Sequence, residues 1–256
     1  MAWYFIVLIV FVCLLLWMGL SSLFYKQFFK RFYDIICALL ALTVFCWLYA
    51  IIAILVKVKL GSPVLFTQIR PGKKGKDGKE RLFKLYKFRS MTDEKDQNGN
   101  LLPDDVRLTK FGSFLRSTSL DEIPEAFNIL KGDMSVIGPR PQLVRDMVFM
   151  TEEQRHRHDV RPGLSGLAQV RGRNAISWEG KLTTDLEYVK AISFFGDLRI
   201  IFQTVIKALK REGISEEGMA TAEDFGEELL RIGKVTEKEF MEKQLEAKQI
   251  LEKGNK

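Results

Sequence analysis

Two long stretches without a charged residue decide what this chain can fold into. Ala2 to Tyr25 and Ile35 to Val56 hold 24 and 22 uncharged, mainly apolar residues. Each exceeds the roughly 18 at which a membrane helix is favoured over a buried core helix. Both are expected to meet lipid, which excludes a simple soluble protein. The first block, Trp3 to Phe24, has no basic leader and no small-residue cleavage site, so it reads as a retained anchor rather than a cleaved signal. Cys13, Cys37 and Cys46 lie inside the two blocks without metal-type spacing and behave there as small hydrophobes. His156 and His158 are the only histidines, and no transition-metal site is expected.

Basic residues set the topology. Lys26, Lys30 and Arg31 follow the first block; Lys57 and Lys59 follow the second, with Arg70, Lys73, Lys74, Lys76 and Lys79 soon after. Both flanks of the second block are therefore expected on the cytoplasmic side. One span followed by a re-entrant segment fits this better than a two-span hairpin, although no proline precedes Pro63 to break such a helix.

The remainder is an ordinary globular composition. Strands are expected at Val64 to Gln68 and Leu82 to Phe88, joined by a Gly/Lys-rich hairpin loop, with a polar surface loop over Asp93 to Asp105. Helices are expected at Asp121 to Leu130, Pro141 to Phe149, Thr151 to His156, Thr184 to Ala191 and Leu198 to Arg211. After Gly213 a Glu/Lys-rich tail carries a capping-box signal at Thr236 to Glu239 and reads as two short amphipathic helices or a solvated charged tail. Lys and Arg total 39 against 32 Asp and Glu, a net charge of +7. The two signs are interspersed, so nucleic acid is not an expected partner.

The chemistry concentrates around Arg116-Ser-Thr-Ser-Leu-Asp-Glu-Ile-Pro124. Ser119-x-x-Glu122 is a capping-box pattern that would place Asp121 and Glu122 in the first turn of a helix, and a plain helix cap would explain both. Their company points further: Lys87 and Arg89 in YKFRSM, Arg116 before the cap, and Arg140 between Pro139 and Pro141. Arginine forks suit phosphate oxygens, and adjacent carboxylates among cations suit one oxygen donor for Mg²⁺ and one nucleophile or base. A second stretch, Arg161 to Asn174, sets Arg161, Arg171 and Arg173 among glycines and reads equally as an anion-binding loop or an irregular connection.

From about Lys30 to Gly213 the sequence resembles the bacterial sugar transferases, the small monotopic phosphoglycosyl transferases. The resemblance runs through KRFYD, FTQIRPG, FKLYKFRSM, RSTSLDEIPEAFNILKGDMSVIGPRP, RHDVRPGLSGLAQVRGRNAISW and DLEYV in one order. RHDVRPG, GRNAISW and VKAISF resemble in particular the initiating enzyme of bacterial N-linked glycosylation. The resemblance implies a membrane-associated α/β fold: a transmembrane anchor over residues 1–25, a re-entrant or spanning membrane helix over 30–60, and a compact cytoplasmic catalytic domain with short strands over 61–213. A helical C-terminal tail over 222–256 resembles the SHOCT module, which implies contacts with a protein partner or a second copy.

The resemblance further implies transfer of a phosphosugar from a UDP-sugar, such as UDP-diacetylbacillosamine, to polyprenol phosphate at the cytoplasmic face of the bacterial inner membrane, releasing UMP. Asp121 would be the nucleophile and Glu122 the Mg²⁺ ligand. Lys87, Arg116, Arg140 and Asp185 would organise the diphosphate, uridine or metal, with Arg161 and Arg173 as further substrate-binding candidates. Where relatives carry Ser-Pro midway along the re-entrant helix, this chain has Cys46-Trp47. A membrane-anchored adaptor for anionic lipid and protein partners is the competing reading.

Overall fold

The computed structural model describes residues 2–172, 176–210 and 223–254. Helix α1 (Ala2–Leu23) projects its apolar side chains outward, with Trp3 to Val12 all exposed. One wide helical turn, Tyr25–Phe29, joins it to α2 (Lys30–Val44) and α3 (Cys46–Leu60). Among the described residues no single helix is long and apolar enough to cross a membrane; Tyr25–Val44 and Cys46–Leu60, bent by 66°, pass on length and composition together. The bend falls beside Cys46-Trp47 and needs no proline. Phe45 leaves helical geometry (φ −103°, ψ 13°), and the Thr43 hydroxyl donates to the Leu39 carbonyl at 2.8 Å, a bond that bends helices.

Strands β1 (Leu65–Lys74) and β2 (Glu80–Phe88) form an antiparallel hairpin in the register Leu65↔Phe88, irregular between Pro71 and Lys74. The period of two puts Phe83, Leu85 and Lys87 on one face and Phe88 on the other. The two apolar faces are covered by different helices of the bent pair. Phe83 and Leu85 cluster with Ala38 of α2, while Phe88 clusters with Ile52, Val56 and Leu60 of α3. The bent helix pair is thus part of the same hydrophobic interior as the hairpin.

After the hairpin come α4 (Asp104–Arg107), α5 (Lys110–Ser117) and α6 (Glu125–Lys131). Asn128 of α6, fully buried, accepts from the Tyr86 amide at 3.0 Å and donates to the Lys84 carbonyl at 2.7 Å, closing the open edge of β2. Then follow β3 (Ser135–Ile137), α7 (Val144–Met147), β4 (Gly163–Ser165), α8 (Leu167–Arg171), α9 (Trp178–Lys190) and α10 (Phe194–Lys210). Strands β3 and β4 pair in parallel, Ser135 with Gly163 and Ile137 with Ser165. The tail forms α11 (Phe225–Arg231) and α12 (Glu237–Gly254), and α12 packs on α7 through Ala247, Ile250 and Leu251.

The architecture is therefore mixed α/β, mostly helical with short strands. Several expected helices are shorter than the sequence pattern implies. Pro141 to Phe149 narrows to the four residues of α7, and Gln154–Asp159 is a 3₁₀ helix. The glycine-rich stretch is not a free loop, because part of it is β4.

Polar side chains fasten the N-terminal helices to the rest of the chain. The Asp197 carboxylate, 3% exposed, accepts from Tyr25 at 2.7 Å, Tyr188 at 2.9 Å and Lys30 at 2.5 Å. Asp34 of α2 accepts from the Ser135 hydroxyl at 2.9 Å and the Val136 amide at 2.8 Å. Replacing Asp34 by Ala strands both donors, at about 1–3 kcal/mol each, and should lower the thermal midpoint in detergent. Asp34→Asn, which keeps an acceptor oxygen, should lose about half as much; equal midpoints for wild type and alanine variant would show that this tie carries no stability.

Candidate active site

Three segments converge at one end of the hairpin. On β2, Lys87 continues the Phe83–Leu85 face and emerges over the chain entering α6. That chain does not form the expected capping box. Ser119 adopts a left-handed conformation (φ 55°) with no side-chain cap, and Leu120–Glu122 is a 3₁₀ turn. Pro124 has no amide hydrogen to donate, so regular helix begins only at Glu125. Asp121 and Glu122 consequently sit on a tight turn before the helix.

The third segment is Gly138-Pro-Arg-Pro141, fixed by close backbone contact. The Gly138 amide donates to the Ser165 carbonyl and the Gly163 amide to the Pro139 carbonyl, both at 2.9 Å. A Cβ on Gly163 would lie 2.0 Å from the Gly138 nitrogen, and one on Gly166 would lie 2.1 Å from its oxygen. The glycines of the basic stretch therefore serve backbone packing that shapes the Arg140 turn.

These segments bring opposite charges together. Glu122 Oε1 accepts from Lys87 at 2.8 Å and Arg140 at 2.7 Å, and Lys87 also pairs with Glu125 at 3.3 Å. Burial works to raise Glu122, but Arg140 and Lys87 hold its carboxyl well below the usual range. Asp121 moves the other way, pushed up by burial and by Glu122 against the pull of Lys87, Arg140 and Arg116. Glu125, 2% exposed, is raised by burial and by Glu122. The site thus holds one firmly ionised carboxylate, one raised carboxyl beside cations, and a third that burial pushes toward neutrality. Such a set fits oxygen-donor chemistry around a polyanion. Among the described residues no group of three His, Cys, Asp or Glu forms a metal cage, and Mg²⁺ does not require one, since it is commonly held by one or two carboxylates together with substrate phosphates and water.

The remaining sequence candidates fall in different places. Arg116 donates from Nε to the Ser90 hydroxyl at 2.9 Å and exerts its charge on Asp121. Asp185 is buried and paired with Arg157, at 3.0 Å from Nε and 2.7 Å from Nη2. The same Nη2 donates to the backbone carbonyl of Arg140 at 2.6 Å, so Asp185 reaches the site through Arg157. Arg161 donates to the Gly132 carbonyl at the end of α6, and Arg89 to the Met91 and Ser62 carbonyls; neither joins the Asp121–Glu122 pair. Arg173 lies outside the described residues. Glu125 and Arg157 are the residues that the sequence reading passes over. Glu125 looks like an ordinary first-turn acid, and Arg157 stands more than 30 residues from the nucleophile candidate inside a motif noted only for its likeness.

Known proteins are similar to this chain over most of its length. The family model for bacterial sugar transferases matches residues 25–211. An uncharacterized sugar transferase, EpsL, of Bacillus subtilis is 50% identical over 77% of this chain and 95% of its own length. The UDP-glucose:undecaprenyl-phosphate glucose-1-phosphate transferase of Klebsiella pneumoniae is 41% identical over 70% of this chain, but only 40% of its own length is covered. For the UDP-N-acetylgalactosamine-undecaprenyl-phosphate N-acetylgalactosaminephosphotransferase of Aeromonas hydrophila the identity is 39%, over 70% of this chain and 43% of that protein.

The Arg157–Asp185 pair is nearly solvent-free, with side chains 1% and 4% exposed. Asp185→Ala leaves a buried guanidinium without its counter-ion, which costs about 3–5 kcal/mol. The expected outcome is a large fall in the unfolding midpoint, and an unchanged midpoint would mean that the pair is not held as described.

Proposed function

The chain belongs to the bacterial sugar transferase family, and from that premise we propose that it transfers a sugar phosphate from a UDP-sugar to a polyprenol phosphate, releasing UMP. The observation that carries this is the Asp121–Glu122 pair on a tight turn with Lys87 and Arg140 both on Glu122 Oε1. A carboxylate of Asp121 attacks the phosphorus that bears the sugar. A carboxyl oxygen–phosphorus bond forms, the bond from that phosphorus to the bridging oxygen breaks, and UMP leaves with that oxygen. A phosphate oxygen of the polyprenol phosphate then attacks the same phosphorus and displaces Asp121, giving the polyprenyl-diphosphate sugar. Dividing the transfer between two displacements lets one site serve a water-soluble donor and a lipid acceptor in turn.

The cations do most of the positioning. Lys87, Arg116 and Arg140 offset the repulsion between an anionic nucleophile and a diphosphate, and arginine forks match phosphate oxygens. With Lys87 and Arg140 on Oε1, Glu122 Oε2 is the oxygen that would meet Mg²⁺, whose bound charge polarises the phosphoryl oxygens. The donors in the names of two relatives, UDP-glucose and UDP-N-acetylgalactosamine, differ from each other. Here an N-acetylated hexose is proposed, UDP-diacetylbacillosamine included, on the likeness of RHDVRPG and GRNAISW.

The acceptor explains the bent helix pair. Each CH₂ moved out of a bilayer costs about 0.8 kcal/mol, so a polyprenol is best met at the membrane. The 66° bend of α2 against α3 and the basic residues flanking both fit a re-entrant helix at the cytoplasmic face of the bacterial inner membrane. The reaction would be a first membrane step of glycoconjugate assembly, protein glycosylation among the candidates.

Intact mass of detergent-solubilised protein tests the first displacement. With Mg²⁺ and UDP-N-acetylhexoses but no polyprenol, the wild type should gain one phosphosugar and release UMP, and Asp121→Asn should do neither. Failure with every donor, and failure of polyprenol phosphate to restore UMP release, would end the proposal. The pH profile supplies a second check. Because burial raises Asp121, ionisation, and with it the rate of adduct formation, should increase through an acid limb displaced above the ordinary aspartate value of about 4. Lys87 favours the ionised form, so Lys87→Met should move that limb to still higher pH; a shift downward would contradict the assignment of Asp121.

A further inference from the structure

The segment that leaves the Arg140 turn is wrapped by the C-terminal tail. Beyond Pro141, α7 buries Val144 and Met147 against Ala247, Ile250 and Leu251 of α12. Asp146, 2% exposed, accepts from the Leu143 amide of its own turn at 3.1 Å and, with its other oxygen, from the Phe225 amide of the tail at 3.0 Å. Arg145 pairs with Asp224 at 2.7 Å. Gly226 lies against the ring of Phe149, where a Cβ would come within 2.4 Å.

The tail also grips the helix behind the same turn. The Phe225 and Trp178 rings meet at a tilt with centroids 5.2 Å apart, and the Trp178 indole donates to the Glu223 carbonyl at 3.0 Å. Trp178 opens α9, the helix that carries Asp185 and, through Arg157, the carbonyl of Arg140. Helix α7, which follows the Arg140 turn in the chain, and α9, tied to the Arg140 carbonyl through Arg157, therefore share one clasp. A solvated tail would make neither contact, and a helix pair serving only external partners would not bury Phe225 at 5% exposure between them.

We propose that residues 223–254 act as an intramolecular brace that positions Arg140 by clamping α7 to α9, so that donor binding depends on tail docking. This deepens the transferase reading and rests on it for the role of Arg140. Asp146 and Phe225 are positioning residues; neither is taken to touch substrate.

The test uses the full chain in lipid nanodiscs and two variants that attack the clasp differently. Gly226→Leu drives a side chain into the Phe149 ring, and Phe225→Asp sets a carboxylate beside Asp146 and Trp178. Met241→Ser, at a residue 68% exposed on α12, is the control. Hydrogen exchange should show the tail released in both variants, with amides of residues 138–147 exchanging faster than in wild type and control. The donor kcat/KM should fall about ten- to a hundredfold, as for a displaced catalytic group, and the loss should lie mainly in KM. Released tails with unmoved exchange at 138–147 would overturn the brace, as would tails that stay docked in both variants. A loss confined to kcat would overturn the role in donor binding. Wild type inactive with every donor would sink the transferase reading instead, and the exchange data would still decide whether the clamp exists.

Discussion

A single guanidinium with almost no contact with water joins the parts on which this site depends. Arg157 reaches Asp185 on α9 and the carbonyl of Arg140 on the turn after β3, while its neighbour His158 meets Glu80 at the turn end of the hairpin at 3.2 Å. A buried charge is tolerated only when paired and hydrogen-bonded. Helix α9, the Arg140 turn and the segment 154–159 are therefore bound to one arrangement. Burial pushes His158 down to about 4, so it sits beside Arg157 without adding a second positive charge at neutral pH. Departure from this geometry exposes the cost of an isolated ion, which is how packing far from Asp121 is turned into precision at Glu122.

The cluster of charged side chains was more legible in the sequence than the local backbone. Asp121, Glu122, Lys87 and Arg140 could be singled out because side-chain type and company carry the signal, and the structure brings Lys87 and Arg140 onto Glu122. The turn holding the carboxylates could not, since Ser119-x-x-Glu122 has the letters of a capping box while its geometry depends on Pro124 and a left-handed Ser119. Strands of three residues such as Ser135–Ile137 show no period to read. Arg161 was hard to place for a related reason. Its basic, glycine-rich surroundings look like an anion loop, yet the glycines are needed for backbone contact and the arginine meets the carbonyl of Gly132.

The tail marks another limit of pattern reading. Its many Glu and Lys residues describe the outward surface of α12, whereas Phe240, Ala247, Ile250 and Leu251 are spaced to bury one side, Phe240 stacking on Phe149 at 5.6 Å. Periodicity can announce a buried face but not its partner, because the partner, α7, is about a hundred residues earlier and only four residues long.

The sharing of interior between α2, α3 and the hairpin bears on how the molecule can be handled. Ala38 packs with Phe83, and Val56 with Phe88, while Arg31 donates to the carbonyls of Ile129 and Leu130 at the end of α6. A cut placed after Leu60 to obtain a water-soluble catalytic fragment would pass through the hydrophobic centre rather than along a seam. Replacing the bent pair by an unrelated anchor would strip both faces of β2 at once. Helices α2 and α3 are walls of one shared hydrophobic interior, and any handling of this protein has to keep both in place.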